Sequence, residues 1–259
     1  MKNGDCTVLV CSCDEYADIL PPFMGLWRKF WPDCPFEIVL STETGRDVPG
    51  FDRVLAAGAG KPGCARLVNA LNHIDTPYVL MLCDDYFLSG AVDTQLVLRR
   101  LSQMREFGAS NLRLVPNPAP TAANTLPFDG DPGLFRYKPL SAYAIATQTG
   151  IWDRAFLCGL AEGRTTIWEL ERGGSFDPKT EGKTLLAART REFPFVDAVH
   201  KGCWERAALE VCRLNGIDLS GSKRTLPNLR VRFVEGIKKL IFRVFPWNWI
   251  VRVQNALCG

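Results

Sequence analysis

Short apolar runs of strand length alternate with segments of helical period from residue 6 to residue 216, and this alternation leaves the chain few ways to fold. The runs CTVLVCS (6–12), FEIVLST (36–42), YVLMLC (78–83) and NLRLVP (111–116) are rich in aliphatic and β-branched residues, as strands buried on both sides require. Between them, Phe23, Leu26, Trp27 and Phe30 recur at i, i+3, i+4 and i+7. Leu67, Leu71 and Ile74 share a second helical face, and Val97, Leu101 and Met104 a third. Pro21 and Pro22 fit a helix only in its first turn. Asp93 stands where the third helix needs an N-cap, and Gly108 where it stops. This rhythm predicts an α/β fold, a Rossmann-type, mostly parallel sheet flanked by helices. Local patterns do not encode strand order, but ligands of such sheets bind beyond the carboxyl ends of the strands.

The later elements are less regular. Residues 116–133 (PNPAPTAANTLPFDGDPG) form a proline- and glycine-rich loop too long for a plain connection, expected to order over a bound ligand. SAYAIATQTGIW (141–152) reads as a strand turning at Gly150 into a helix that Asp153 caps. Thr165 or Thr166 is placed to cap a short helix bearing Glu169 and Glu171. FPFVDAVH (193–200) reads as a late strand ending at His200, and a last helix stops at Gly216.

One domain, 1–222, holds these elements, and 223–259 is a tail of different character. The tail carries eight Lys and Arg against one acid, Glu235, which leaves the body slightly acidic although the net charge is +3. Phe233, Ile237, Leu240, Ile241 and Val244 fall on one helical face, flanked by Arg230, Lys238 and Lys239 and followed by Trp247 and Trp249. A basic, amphipathic, tryptophan-bearing helix is suited to lying on an anionic membrane surface. Packing on the main domain, or pairing in a homodimer, would use the same face. The charge split argues against a nucleic-acid binder.

Ten cysteines are scattered through a chain too long and too apolar to need disulfides, several of them inside expected strands, which points to a reducing compartment. Two histidines and unsuitable cysteine spacing argue against structural zinc. MKNGDCTVLVCSC has too short an apolar run for a secretory signal, so a cytoplasmic location is expected, peripheral on the inner membrane face through the tail.

The strongest candidate site is the stretch YVLMLCDDYFLSG (78–90), where an apolar strand ends in Asp84 and Asp85 and aromatics follow at once. Burying an unpaired carboxylate is costly, so either the pair sits where the strand leaves the core or a cation offsets it. One acid holding a divalent cation, Mn2+ or Mg2+, and the other a hydroxyl or metal-bound water would suit a diphosphate ligand. A solvated turn is the plain alternative. GAGKPG places Gly58, Gly60 and Gly63 in the G-x-G-x-x-G spacing with Asp84 about twenty residues on, which raises an NAD(P)-dependent oxidoreductase or epimerase as a rival. Against it, the motif follows the third strand and not the first, and bulky Tyr86 and Phe87 follow the acid. Glu169, beside Trp168, is a candidate general base, with Glu171 the alternative; His200 is a candidate metal ligand or phosphate contact.

The ordered set SCDEYADILPPFMGLWRKFWPDCPFEIVLSTE (12–43), YVLMLCDDYFLSG, QTGIWDRAFLCGL (148–160) and IWELE (167–171) resembles a group of bacterial GT-A glycosyltransferases of surface polysaccharide biosynthesis that contain DDYFL. The resemblance runs from about Thr7 to Gly216. It implies a GT-A-like fold, a nucleotide-sugar donor, UDP-linked in preference, and a lipid-linked or glycan acceptor. It places Ser12, Asp14, Glu43 and Arg66 at the nucleotide, Gln148 near the sugar, Asp85 at a metal with Asp84 accessory to it, and Glu169 as the acceptor-side base of an inverting enzyme. Cys83 stands where a strict D-x-D signature has its first Asp, which puts strict metal dependence in question. A non-catalytic, membrane-associated binding protein on the same fold is the third possibility.

Overall fold

The computed structural model describes residues 2–226. The amphipathic face and tryptophans expected after residue 226 lie outside the described residues, and with them the membrane and dimer expectations. No helix among the described residues is long and apolar enough to cross a membrane.

The elements run β1 (Cys6–Cys11), a 3-10 turn (Asp14–Ile19), α1 (Leu20–Phe30), β2 (Glu37–Thr42), β3 (Arg53–Ala56), α2 (Gly63–Asn72), β4 (Tyr78–Cys83), β5 (Tyr86–Leu88), α3 (Thr94–Glu106) and β6 (Ala109–Arg113). They continue with β7 (Thr125–Pro127), β8 (Leu134–Tyr137), β9 (Gly150–Asp153), α4 (Arg154–Ala161), α5 (Ile167–Gly174), β10 (Thr184–Ala188), β11 (Phe195–Asp197), β12 (Val199–His200), β13 (Cys203–Trp204) and α6 (Arg206–Asn215). Nine strands form the main sheet in the order β3-β2-β1-β4-β9-β6-β10-β8-β7. β3, β2, β1 and β4 are mutually parallel, as are β6 and β10, while β9 runs antiparallel between β4 and β6. The expected α/β architecture, a mostly parallel sheet flanked by helices, is the one observed.

Strand alternation divides the core. Val8, Val10, Leu80 and Leu82 face α1, α3 and α6, whereas Leu9, Val79 and Met81 face α2, α4 and α5. The first layer holds an aromatic column in which Phe23, Trp27 and Trp31 stack along α1 and Trp31 meets Phe36 and Phe193 edge-on. Pro21 and Pro22 stand in the first turn of α1, and the Asp93 carboxylate accepts from Leu96 N at 2.9 Å, both as the sequence requires.

Three expected elements differ. Gly150 does not end a strand; it opens β9, and a Cβ there would meet Leu112 O at 3.0 Å, so this close strand needs a glycine. The residues just before it leave the sheet because side chains of α5 and its end take their amides: Ile145 N donates to Ser175 Oγ and Thr147 N to Glu171 Oε1. Asp153 caps α4 as expected. Segment 116–133 is partly strand, with β7 on the far edge of the sheet, five strands from β4 and so roughly 24 Å across at about 4.8 Å per strand. β7 itself is therefore remote from the end of β4, and no residue of 116–133 lines the cleft there. The late strand is two pieces, and β11 pairs antiparallel with β5, not with the main sheet.

β5 follows the acidic pair directly, and Phe87 within it is fully buried, edge-on to Phe23 and Trp204. Phe87→Ala should cost about 3–5 kcal/mol in urea unfolding. A cost below about 1 kcal/mol would mean that β5 is not fastened through this ring.

Candidate functional site

The strand order changes direction at β1: the chain proceeds from β1 to β2 and β3 on one side, then returns with β4 on the other. Cys11 pairs with Ser41 and with Cys83, so the exits of β1, β2 and β4 lie on one rim. Such a switch point is where open α/β sheets form their ligand crevice.

Asp84 and Asp85 stand there. Asp84 N donates to Cys11 O at 3.2 Å, and its carboxylate, 8% exposed, accepts from Ser12 Oγ at 2.6 Å. The Asp85 carbonyl accepts from Ala198 N at 2.7 Å, which ties the turn to the β11 side. Tyr86 stacks on Phe195 at 4.1 Å. The aromatics after the acids thus anchor the strand exit while the carboxylates stay at the rim. Burial pushes the Asp84 carboxyl up to about 6, against the Ser12 hydrogen bond. Burial, then the charges of Asp84 and Asp197, push Asp85 to about 7. Among the described residues no basic side chain forms an ion pair with either acid.

A cleft of about 500 Å³ opens beside them, of a size that holds small-molecule ligands. Ser12, Cys13 and Tyr16 form one wall and Asp84 and Asp85 the floor. Gly63 and Arg66 enter from the start of α2, and Ile167 and Trp168 from α5. Pro62 at the N-cap of α2 gives no side-chain cap; the Cys64 amide of its first turn donates instead to Thr165 O at 3.2 Å, and Gly63 lines the cleft. Trp168 is 69% exposed. A second hollow of about 100 Å³ is lined by Asp14, Thr42 and Arg46 and holds neither acid of the pair.

The cleft brings together Ser12, Arg66, Asp84 and Asp85 from the residues singled out in the sequence. Glu43 is one step removed: it pairs with Arg66 and accepts from Asp14 N, tying the exits of β1 and β2 to α2. Asp14 is exposed, and hydrogen bonds from Thr44 hold its carboxyl below the usual range. Gln148 is half-buried and does not line the cleft. Glu169 is exposed, and its carboxylate completes a capping box with Thr166, accepting from Thr165 N at 2.8 Å. Glu171 accepts from Thr147 N and Oγ1 at 2.7 and 2.6 Å. His200 is exposed on β12 and outside the cleft lining.

No group of three or more metal-donor side chains converges among the described residues. Two carboxylates without an ion pair among the described residues still fit a hard divalent ion that draws the rest of its shell from phosphate and water. The glycine motif does not assemble a dinucleotide site. Gly58 and Gly60 adopt left-handed angles after β3, the edge strand, and Asp84 lies three strands away with β2 and β1 between. That fingerprint needs its acid on the adjacent strand.

Sequence reasoning passed over Tyr16 and Arg224. Tyr16 sits in a polar turn with no periodic signal, and Arg224 reaches it from 208 residues on.

No family model matches the chain, and no curated protein does. Among solved structures it is similar to residues 1–349 of S. aureus TarS, at 15% identity and TM-score 0.46, covering 82% of this chain and 64% of that one. A UDP-glucose pyrophosphorylase complexed with UDP-glucose is similar at 9% identity and TM-score 0.49, covering 81% and 98%. The 2-C-methyl-D-erythritol 4-phosphate cytidylyltransferase of Thermus thermophilus matches at 16% and 0.45, covering 82% and 99%. The chain spans less than two thirds of the TarS structure's length.

Because both acids are raised in the folded state, they oppose folding at high pH, and this cost fades as pH falls through about 7 toward 4. With divalent ions chelated, Asp85→Asn should be more stable than wild type at pH 8, on the order of 2 kcal/mol. Thermal unfolding should show that advantage shrinking by pH 5; equal stability at pH 8 would contradict the burial of an uncompensated charge.

Proposed function

We propose that this chain is a glycosyltransferase of GT-A type, moving a sugar from a nucleotide donor, UDP-linked in preference, to a lipid-linked or glycan acceptor of a bacterial surface polysaccharide. The observation that carries this reading is the cleft at the β1/β4 switch point, where buried Asp84 and half-buried Asp85, without an ion pair among the described residues, line one space with Arg66 and Gly63 at the start of α2.

In this reading the Gly63 amide and the Arg66 guanidinium receive the donor's phosphates, since a helix N-terminus favours anions. Glu43 holds Arg66 in place. Ser12 fixes one oxygen of Asp84 and leaves the other toward the ligand. Asp85 would hold Mn2+ or Mg2+, which when bound offsets the charge growing on the departing diphosphate. His200 enters the cation's surroundings only if the β12–β13 turn approaches with donor bound. Gln148 lies on the segment between donor and acceptor sides. Trp168 forms the acceptor-side wall, and Glu169 beside it takes the proton of the acceptor hydroxyl once its carboxylate leaves the cap; Glu171 is the alternative base. A retaining reaction would leave Glu169 without that task.

One observation favours a second reading, a non-catalytic binding protein on this fold: the Glu169 carboxylate is engaged in its own helix cap. Titration calorimetry and cellular glycan analysis separate the readings. Wild type should bind UDP with Mn2+ and not NADH, and Asp85→Asn should lose that binding. Glu169→Gln should keep UDP binding while transfer falls by about 100-fold or more, the scale of a lost general base. Glycan unchanged in both variants supports the binding protein, and no UDP binding by wild type contradicts the donor reading.

The tail places the enzyme on the inner face of the membrane in this account, near an acceptor anchored there, with a cytoplasmic body. Full-length protein should float with vesicles containing anionic lipid and not with neutral ones. Equal behaviour with both would contradict a charge-driven surface contact.

A further inference from the structure

The 3-10 turn Asp14–Ile19 carries Tyr16 into the cleft wall, and its neighbours are held by residues from the far end of the described chain. Arg224 Nε lies 2.9 Å from Asp18 Oδ2 and 3.1 Å from Oδ1, and Nη2 donates to Asp18 Oδ1 at 2.8 Å. Nη2 also donates to Glu15 O at 3.0 Å, and Nη1 reaches Gly202 O at 3.4 Å. Its guanidinium plane covers the Tyr16 ring, Cζ to centroid 4.1 Å. The side chain is 10% exposed, so this is not a mobile surface pair. Ser222 Oγ adds a bond to Asp18 Oδ2 at 2.6 Å, and Trp204 N donates to Thr225 O at 3.0 Å, which fixes the segment on both sides of Arg224.

Tyr16 lines the same cleft as Asp84 and Asp85. Burial raises the Tyr16 phenol, Arg224 acts against that rise, and the charges of Asp84 and Asp85 add to it. The ring is thus held by a fixed cation in a cleft that it shares with the two carboxylates. An arginine whose fork is matched to a carboxylate and whose face lies on an aromatic ring sets that ring's orientation in a way a lysine would not.

We propose that Arg224 is a positioning residue for the donor site: with Asp18 it clamps the turn Asp14–Ile19, holds the Tyr16 ring as a wall for the nucleoside, and ties segment 222–225 to that wall. The clamp rests on the donor reading only in its last consequence, the affinity for nucleotide; the orientation of Tyr16 follows from the contacts alone.

The test uses the full chain labelled with 3-fluorotyrosine, the Tyr16 resonance being assigned by its loss in Tyr16→Phe. In Arg224→Ala that fluorine resonance should move without any ligand while the other tyrosines stay in place. The Kd for UDP with Mn2+ should rise about tenfold, the scale of one lost base–aromatic contact. Tyr16→Ala should show the same loss, and the double variant no more than either alone. Asp18→Asn, which keeps the side-chain shape, is run beside Arg224→Ala against failure to fold and should give the same shift and loss. An unmoved Tyr16 resonance overturns the proposal, as does unchanged UDP affinity in a wild type that binds UDP, or losses that multiply. Wild type that binds no UDP, with a resonance that still moves, overturns the donor reading and leaves the clamp standing.

Discussion

Two carboxylates held at the end of a buried strand, with no ion pair to either among the described residues, are the constraint around which the rest of this protein is arranged. Left to itself such a pair would turn outward to water or protonate. Here the turn is fastened from three directions. Asp84 N reaches back to β1, the Asp85 carbonyl is taken by Ala198 N, and Tyr86 and Phe87 bury themselves against Phe195, Phe23 and Trp204. The aromatic packing supplies the stabilisation that the acids remove. What remains is a site with two carboxylates beside the start of α2 and Arg66, an arrangement that a diphosphate and its cation would complete.

The same logic explains why polar side chains bridge elements around the rim. Glu43 joins the exits of β1 and β2 to Arg66 on α2, and Glu171 takes the Thr147 amide, drawing the segment before β9 out of the sheet. Such bonds fix the loops at the rim, and fixed loops on a rigid sheet are where ligand contacts can be held.

How much of this was legible in the sequence depended on range. β1, β2, β4, α1 and α3 follow from runs and periods within a dozen residues, and the caps Asp93 and Asp153 from single positions. The acidic pair was legible because polarity breaks so sharply after Cys83. β9 was misplaced because its position between β4 and β6 is set by pairing, as at Leu80 with Ile151, which no local pattern reports. The β5–β11 pair joins Leu88 to Phe195, and the clamp joins Asp18 to Arg224. Glu169 shows the reverse: Thr166 and Glu169 carry the spacing of a capping box, so the local signal for its observed role was present beside the chemical one. Trp168 lines the cleft, while the neighbouring Glu169 carboxylate is taken up by the cap of α5.

The most direct test of the account is a crystal soaked with UDP and Mn2+, read by anomalous scattering from the manganese. The account predicts a manganese peak in coordination contact with Asp85, bridged to the diphosphate, with the nucleoside along the wall that Tyr16 forms. A nucleotide bound elsewhere, or well-ordered crystals with both acids solvated and the cleft empty at saturating ligand, would contradict it.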